Sequence, residues 1–342
     1  MKAVSFFQPL PISDPESLVD IQTDRPVPEP RDLLVHVQAI SVNPVDTKIR
    51  GGGGPRNSSQ AENKLLGWDA AGIVVEIGSD VTQFKVGDEV YYAGSIDRNG
   101  TYSEFHAVDE RLVGRKPATL SFAEAAALPL TTITAWEMLF DRIRVCVDPE
   151  AAGSVLIIGG AGGVGSIAIQ LARCLTGLKV IATASRAETR DWCLEMGAHH
   201  VIDHRKPLAA QVQSIEPGGV NYVLGLTRVE DHFDQIVEAM APQSALALIE
   251  NLARPIDLNK LKPKCISLHW EFMFARSRYQ TADMGQQGRL LSDVATLVEE
   301  RRIRSTMREN FGPVNAANLR RAHAHVESGT AIGKAVLSGF SS

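Results

Sequence analysis

A glycine-rich turn in the middle of the chain constrains the fold more than any other sequence feature. It follows the apolar run 154–158, precedes the run 166–171, and reads Gly160-Ala161-Gly162-Gly163-Val164-Gly165. Its first, third and sixth residues match the G-x-G-x-x-G pattern of dinucleotide-binding turns. There the glycines permit a tight turn, the approach of a pyrophosphate, and close packing of helix on strand. The run therefore predicts a strand, a phosphate-binding turn and a helix whose N-terminus favours negative charge.

The flanking sequence favours this interpretation over a simple packing turn. Val164, Ala168, Leu171 and Leu175 recur at helical spacing and predict one apolar helix face. The β-rich run 178–183 follows and completes a strand–helix–strand unit.

The end of this second strand indicates which dinucleotide is bound. An NAD site usually presents Asp or Glu there to the ribose 2′-hydroxyl, whereas this chain has Ser185 and Arg186. Ser185 can donate a hydrogen bond and Arg186 can pair with a 2′-phosphate, which favours NADPH. The alternative is that Arg186 is a solvated residue at the start of the next helix.

Composition limits the class of protein and its partners. The chain has 342 residues, of which 44% are hydrophobic and 22% charged, and its formal net charge is -5. This length suits two domains, and the absence of a basic field argues against nucleic acid or a membrane surface as partner. With no recognisable signal peptide or transmembrane run, we expect a cytoplasmic protein with small-molecule partners.

The four cysteines are Cys146, Cys174, Cys193 and Cys265. They have no C-x-x-C spacing, so they predict neither disulfides nor a zinc site.

The pattern of short runs predicts a discontinuous two-domain organisation. The first 125 residues contain β-rich runs such as 32–40 and 72–78, whereas strands and helices alternate from about 121 to 272. A final apolar run, 332–337, is predicted to return to the first domain. We therefore predict one domain from 1–125 and 274–342, and a dinucleotide-binding domain from 126–273. The segment 51–59 has loop composition and forms either a wall of the substrate site or an ordinary surface loop.

Four segments resemble the medium-chain dehydrogenase/reductase superfamily, and the resemblance covers nearly all of the chain. They are Val42-Asn43-Pro44-Val45-Asp46-Thr47-Lys48, then 67–72 with 86–90, then the glycine turn, and finally 331–337. The resemblance implies an α/β fold in which a Rossmann domain with a doubly wound parallel sheet is joined to a mostly β GroES-like domain.

The chain departs from the zinc enzymes of that superfamily at the metal-ligand positions. Zinc alcohol dehydrogenases have Cys at the position of Asn43 and Gly-His-Glu at the positions of Gly67-Trp68-Asp69; the third ligand aligns with Leu130. No cysteine-rich lobe for a structural zinc occurs between 91 and 120. The resemblance is therefore to the zinc-independent quinone oxidoreductase branch, and the stretch 267–274 resembles its zinc-type alcohol dehydrogenase-like subgroup. This comparison implies no bound metal.

The resulting hypothesis is hydride transfer from NADPH to a quinone or an activated C=C bond. Such acceptors delocalise the negative charge that hydride addition creates, so positioning and hydrogen bonds suffice. One alternative is a 2-enoyl thioester reductase. Another is a sensor or structural protein that binds NADPH without turnover.

Each proposed site residue has a functional and a structural interpretation. Asn43 orients the substrate oxygen or nicotinamide ribose, or it caps a turn before Pro44. Lys48 stabilises developing negative charge, or it is a solvated lysine. Trp68 forms an apolar wall for a flat acceptor, or it is a core tryptophan. By alignment, Thr131 lies at the nicotinamide edge.

Two further expectations concern the surface. The pairs His199/His200 and His323/His325 lack additional ligands, so we expect them at the surface or at helix caps. The apolar run 265–270 lies near the edge of the predicted parallel sheet, which favours a homodimer formed by sheet pairing.

Overall fold

The chain folds into two compact units. A computed structural model describes residues 1–53, 64–150 and 152–340. One unit comprises 1–133 and 274–342, and the other comprises 134–273. The sequence-based boundaries lie after residues 125 and 273, and residues 126–133 are grouped with the first unit. Of the segment 51–59, residues 54–59 lie outside the described ranges.

The helices and strands follow in chain order. The first part of the chain contains β1 (Lys2–Phe6), β2 (Val19–Gln22), β3 (Asp32–Val42), α1 (Pro44–Arg50), β4 (Lys64–Leu65), β5 (Asp69–Ile77), β6 (Glu89–Ala93), β7 (Phe105–Asp109), β8 (Val113–Arg115), α2 (Phe122–Ala126) and α3 (Pro129–Trp136). The middle contains β9 (Ser154–Ile158), α4 (Gly163–Leu175), β10 (Lys179–Thr183), α5 (Ala187–Glu195), β11 (His200–Ile202), α6 (Leu208–Ile215), β12 (Val220–Gly225), α7 (Val229–Ala239), β13 (Met240–Leu248) and β14 (Ser267–Trp270). The last part contains α8 (Ala275–Tyr279), α9 (Gln286–Glu299), β15 (Met307–Asn310), α10 (Ala316–Glu327) and β16 (Lys334–Ser338).

The first unit is built mainly on two β-sheets. A small sheet has the order β2-β1-β4, and a larger one has the order β15-β16-β3-β5-β6-β8, with β7 also paired to β3. The long strand β3 pairs antiparallel with β5, β7 and β16, so the end of the chain lies beside its beginning. This arrangement places the start of α1, which directly follows β3, next to β16.

The second unit is a doubly wound parallel sheet. Its order is β11-β10-β9-β12-β13-β14, with every neighbouring pair parallel. The order reverses between β9 and β12, and ligands of such sheets bind beyond the carboxyl ends of the strands at this reversal. The glycine turn lies there, because it directly follows β9.

Helix α4 is buried more completely than its sequence pattern predicts. Residues 165–172 are all buried, whereas Val164 and Leu175, predicted on the apolar face, are only half-buried. Gly165, Ser166 and Ala168 are small residues that let the helix approach its neighbours closely. The buried surface of α4 is therefore wider than a single apolar face. None of the helices in the described ranges combines the length and the apolar character that crossing a bilayer requires.

Two buried carboxyl groups share one arginine in the second unit. Glu137 begins a π-helical turn, Glu137–Arg142, and Glu271 directly follows β14. Arg142 donates from Nε to Glu271 Oε2 at 2.7 Å and from Nη2 to Glu137 Oε2 at 3.2 Å. Burial, and next the neighbouring Glu137 carboxyl, raise the pKa of Glu271 to about 9. At neutral pH the pair therefore retains a proton that balances the single guanidinium charge.

We expect this retained proton to make stability fall with rising pH. The unfolded chain releases the Glu271 proton near pH 4.5, whereas the folded protein keeps it. The thermal unfolding midpoint should therefore decrease as the pH rises from about 5 to about 9, where the folded pair ionises. Glu271→Gln mimics the protonated acid, and thermal unfolding between pH 5 and 9 should show a flatter profile than for the wild type. Exposed Glu238→Gln is the control, and parallel profiles for Glu271→Gln and wild type would contradict this account.

Candidate functional site

The glycines of the turn are required for different reasons. A Cβ at Gly160 would lie 2.8 Å from Ala182 Cβ, and one at Gly165 would lie 2.4 Å from the Gly159 carbonyl oxygen. A Cβ at Gly162 would meet only the Gly159 oxygen at 3.6 Å, an ordinary contact, and its φ of -72° suits any residue. Protein packing therefore accounts for Gly160 and Gly165 but not for Gly162. A pyrophosphate-binding turn requires open space of this kind at its second glycine.

The turn presents the N-terminus of α4 at the end of β9. Gly162 is the N-cap of α4, and Gly163 and Val164 form its first turn. The backbone N–H of Gly159 donates to Thr183 Oγ1 at 3.0 Å, which ties the turn to the end of β10. Free N–H groups at this helix start are suited to phosphate oxygens.

An arginine that sequence reasoning missed reaches the end of β10. Ser185 is half-buried and Arg186 is exposed at the N-cap of α5, so both interpretations of Arg186 remain open. Arg205, which follows β11, donates from Nη2 to the Ser185 carbonyl oxygen at 2.5 Å and forms an ion pair with Asp203 at 2.8 Å. Arg205 holds the pKa of Asp203 at about 2, so this nearby carboxylate stays paired. Two guanidinium groups thus lie where parallel strands β10 and β11 end.

In the first unit, the Asp69 carboxylate gathers four donors from separate elements. Oδ2 accepts from Ser41 Oγ at 2.7 Å, Asn43 Nδ2 at 2.8 Å and Lys334 Nζ at 3.0 Å. Oδ1 accepts from the Leu130 backbone N–H at 2.7 Å. We call these five residues the Asp69 cluster. It joins β3, the start of α1, α3 and β16, and all five residues are buried.

The residues predicted to act on the substrate differ in exposure. Asn43 and Trp68 are fully buried; the Trp68 indole donates to the Ser95 carbonyl oxygen at 2.9 Å and packs edge-on against Phe274. Thr131 is also buried, and its hydroxyl donates to the Leu128 carbonyl oxygen at 3.1 Å. Only Lys48, on α1, is exposed.

A second buried group of polar side chains lies beside the Asp69 cluster. Asp46 Oδ2 accepts from the Asn43 backbone N–H at 2.7 Å and from the Tyr102 hydroxyl at 3.0 Å. The same hydroxyl lies 3.0 Å from His323 Nε2. Burial raises the pKa of Asp46 to about 7 and lowers that of His323 to about 3. The expectation that His323 lies at the surface or a cap is wrong, because α10 packs this residue inward against Tyr102.

Comparison with known proteins identifies the family. Residues 29–132 match the alcohol dehydrogenase GroES-like domain, and residues 163–285 match the zinc-binding dehydrogenase domain. A zinc-type alcohol dehydrogenase-like protein from Staphylococcus aureus is 40% identical over 98% of this chain and 99% of its own length. The chain belongs to the medium-chain dehydrogenase/reductase superfamily.

Two solved structures are similar over nearly the whole chain, and a further relative is similar over about half of it. A crystal structure described as a putative zinc-dependent alcohol dehydrogenase from Rhizobium etli is 53% identical, covers 100% of this chain and 99% of its own, and superimposes with a TM-score of 0.95. Escherichia coli quinone oxidoreductase complexed with NADPH is 26% identical, with 99% and 100% coverage and a TM-score of 0.83. The 2-methylene-furan-3-one reductase of Solanum lycopersicum is 38% identical over 55% of this chain and 49% of its own. The superfamily binds nicotinamide cofactors, and this chain is an oxidoreductase of that family.

The zinc that three of these descriptions name does not suit the residues present. Among the three aligned ligand positions, the Asn43 amide oxygen is held by an ammonium group, the Trp68 indole can only donate, and Leu130 is apolar. No group of three or more His, Cys, Asp and Glu side chains within the described ranges could hold a metal ion. The donor chemistry at these positions therefore differs from that of the zinc members.

We expect alanine to have different effects at Gly162, which has space for a side chain, and at Gly165, which does not. Gly162→Ala should change the free energy of unfolding by less than about 1 kcal/mol but weaken nicotinamide dinucleotide binding by about tenfold or more, because the new methyl fills the pyrophosphate cradle. Gly165→Ala should lower stability by about 1–3 kcal/mol through overlap with backbone. Fluorescence titration and denaturant unfolding measure both. Unchanged binding by a stable Gly162→Ala protein would contradict the assignment of the cradle.

Proposed function

We propose that this chain is an NADPH-dependent, zinc-independent oxidoreductase that transfers hydride to a quinone or to the activated C=C bond of an enone. The observation that supports this most is the Asp69 cluster, in which the side chain of Asn43, at an aligned metal-ligand position, is held between Asp69 and Lys334. A simple ketone needs a strong electrophile to accept hydride. A conjugated acceptor spreads the new negative charge over its own atoms, so hydrogen bonds and one nearby cation are enough to stabilise that charge.

The names of two relatives of this chain also support the choice of acceptor. One similar structure is a quinone oxidoreductase, and one similar sequence is a reductase of 2-methylene-furan-3-one, which is a conjugated enone. Both substrates present a carbonyl oxygen conjugated to the carbon that receives hydride. We therefore place quinones and enones before enoyl thioesters as substrates of this chain.

Ser185, Arg186 and Arg205 support NADPH as the reductant. Two arginines near the end of β10 can pair with a 2′-phosphate, and the nearest acid after β11, Asp203, is paired with Arg205. The 2′-hydroxyl of NADH offers no charge to these groups. We propose that the pyrophosphate rests on residues 160–165.

The reaction that we propose consumes one proton for each hydride. The nicotinamide passes hydride to carbon, the acceptor becomes an oxyanion, and a proton from solvent completes the reduced product. We assign Lys48, which is exposed on α1, to stabilise this oxyanion. Asn43, Trp68 and Thr131 act behind the surface, where they hold the shape of the site.

The experiment that tests this function measures oxidation of NADPH and NADH by quinones, enones, enoyl thioesters and aldehydes, with and without a chelator. We expect turnover of quinones or enones that survives chelation. Arg186→Ala and Arg205→Ala should each lower the NADPH-to-NADH ratio of kcat/KM by about tenfold, because each removes a charge-assisted hydrogen bond. Exposed Arg254→Ala is the control. Zinc-dependent aldehyde reduction would contradict the proposal, thioester preference would favour an enoyl thioester reductase, and tight NADPH binding without turnover would favour a sensor.

We also propose that the protein is a cytoplasmic homodimer paired through β14. This strand forms one edge of the parallel sheet; Trp270 at its end is 51% exposed, and Phe272 just after it is 44% exposed. An open edge with exposed aromatic side chains is suited to pairing with a second copy. The four cysteines are free thiols, as a reducing compartment favours.

Sedimentation velocity at micromolar concentration should show a dimer for the wild type. Replacing both Trp270 and Phe272 by Glu should give a folded monomer, because charges then face each other across the shared edge. Tyr279→Glu introduces the same charge at a residue that is 73% exposed in the other unit and should leave the dimer intact. A monomeric wild type would remove the proposed interface.

A further inference from the structure

Lys334 is a buried cation whose donors are all in use. Its side chain is only 3% exposed. It donates to the Val42 carbonyl oxygen at 3.1 Å, to Asp69 Oδ2 at 3.0 Å and to Asn43 Oδ1. An ammonium group has three N–H donors, so Lys334 has none left for a substrate. Any effect of Lys334 on the reaction must therefore pass through the groups that it holds.

The partners of Asn43 fix the orientation of its amide group. An ammonium group can only donate, so the atom that faces Lys334 must be Oδ1. A carboxylate can only accept, so the atom that faces Asp69 must be Nδ2. A flipped amide would place N–H against ammonium and oxygen against carboxylate. The two charges on either side therefore allow one orientation.

Asn43 passes this constraint to helix α1. It is the N-cap of α1, its backbone N–H donates to Asp46 Oδ2, and Pro44 follows at the first helical position. Both the side chain and the backbone of the N-cap are thus held, which fixes where α1 begins and how it is rotated. Of the charged side chains of α1, Asp46 and Arg50 are buried and Lys48 is exposed.

We propose that Lys334 is a positioning residue for hydride transfer, which acts through Asn43 and the start of α1 to set the location of the Lys48 ammonium group. This inference rests on the proposed function, in which Lys48 meets the developing oxyanion. The inference assigns different tasks to the two lysines. Buried Lys334 fixes the start of α1, which we call the frame, and exposed Lys48 stabilises the developing negative charge.

A double-mutant cycle between the two lysines tests this division. Lys334→Met alone would leave Asp69 buried without its cation, so the frame variant combines Lys334→Met with Asp69→Asn and stays balanced in charge. We expect Lys48→Gln and the folded frame variant each to lower kcat for quinone or enone by about tenfold or more, with NADPH affinity close to wild type. Combining all three substitutions should lower kcat no further than the worse parent, because both act on one interaction. Exposed Lys85→Gln is the matched control.

A purely structural role for Lys334 gives a different pattern. Losses in kcat that multiply across the cycle, or a folded frame variant with wild-type kcat, would overturn the inference. Trace acetylation with acetic anhydride, quantified for each lysine by mass spectrometry, adds a readout that needs no turnover. The frame variant should change the labelling rate of Lys48 by about threefold or more, since reactivity follows pKa and exposure, and leave Lys85 unchanged.

The two arms separate failure of the function from failure of the inference. If the wild type reduces neither quinones nor enones, the proposed function fails, and the labelling rate of Lys48 alone decides whether Lys334 sets its location. If the wild type is active but Lys48 labelling and the cycle show no coupling, the proposed function stands and Lys334 is only structural.

Discussion

The Asp69 carboxylate is the interaction on which the first unit depends. It joins β3, the start of α1, α3 and β16 through four donors, and the positions that it connects lie far apart in the sequence. Removing one partner of a buried ion pair such as Asp69–Lys334 typically costs about 3–5 kcal/mol, because the remaining charge is left without water or counter-ion. The same contacts therefore hold the strands and the helix starts together.

The dinucleotide turn depends on shape rather than charge. Gly160 and Gly165 are small because protein atoms lie where a side chain would be, and this follows from packing alone. Gly162 has an ordinary backbone conformation and no close neighbour, so its lack of a side chain has no internal cause. The distinction turns a sequence pattern into a physical argument for a ligand, because only the second kind of glycine leaves space facing outward.

Local sequence patterns predicted the elements better than the contacts between them. The runs 154–158 and 178–183 became β9 and β10, and 332–337 contributes to β16 beside β3, because period and turn residues act over short distances. Arg205 lies twenty positions from Ser185, and Lys334 lies 291 positions from Asn43, so no periodicity connects them. The burial of His323 also escaped prediction, since it depends on which face α10 turns toward Tyr102.

The balance of buried charge limits the chemistry that this unit can perform. Asp46 and Asp69 face one buried ammonium group, Lys334, and burial raises the pKa of Asp46 to about 7, so full ionisation would leave an uncompensated negative charge inside. Lys334 is the cation of the Asp69 cluster, and its donors are all used there. In the proposed reaction, the new anion lies at the surface of α1 beside Lys48, whose field is weakened by water. One screened cation suits an acceptor that disperses its own charge, which is the physical reason to expect conjugated substrates.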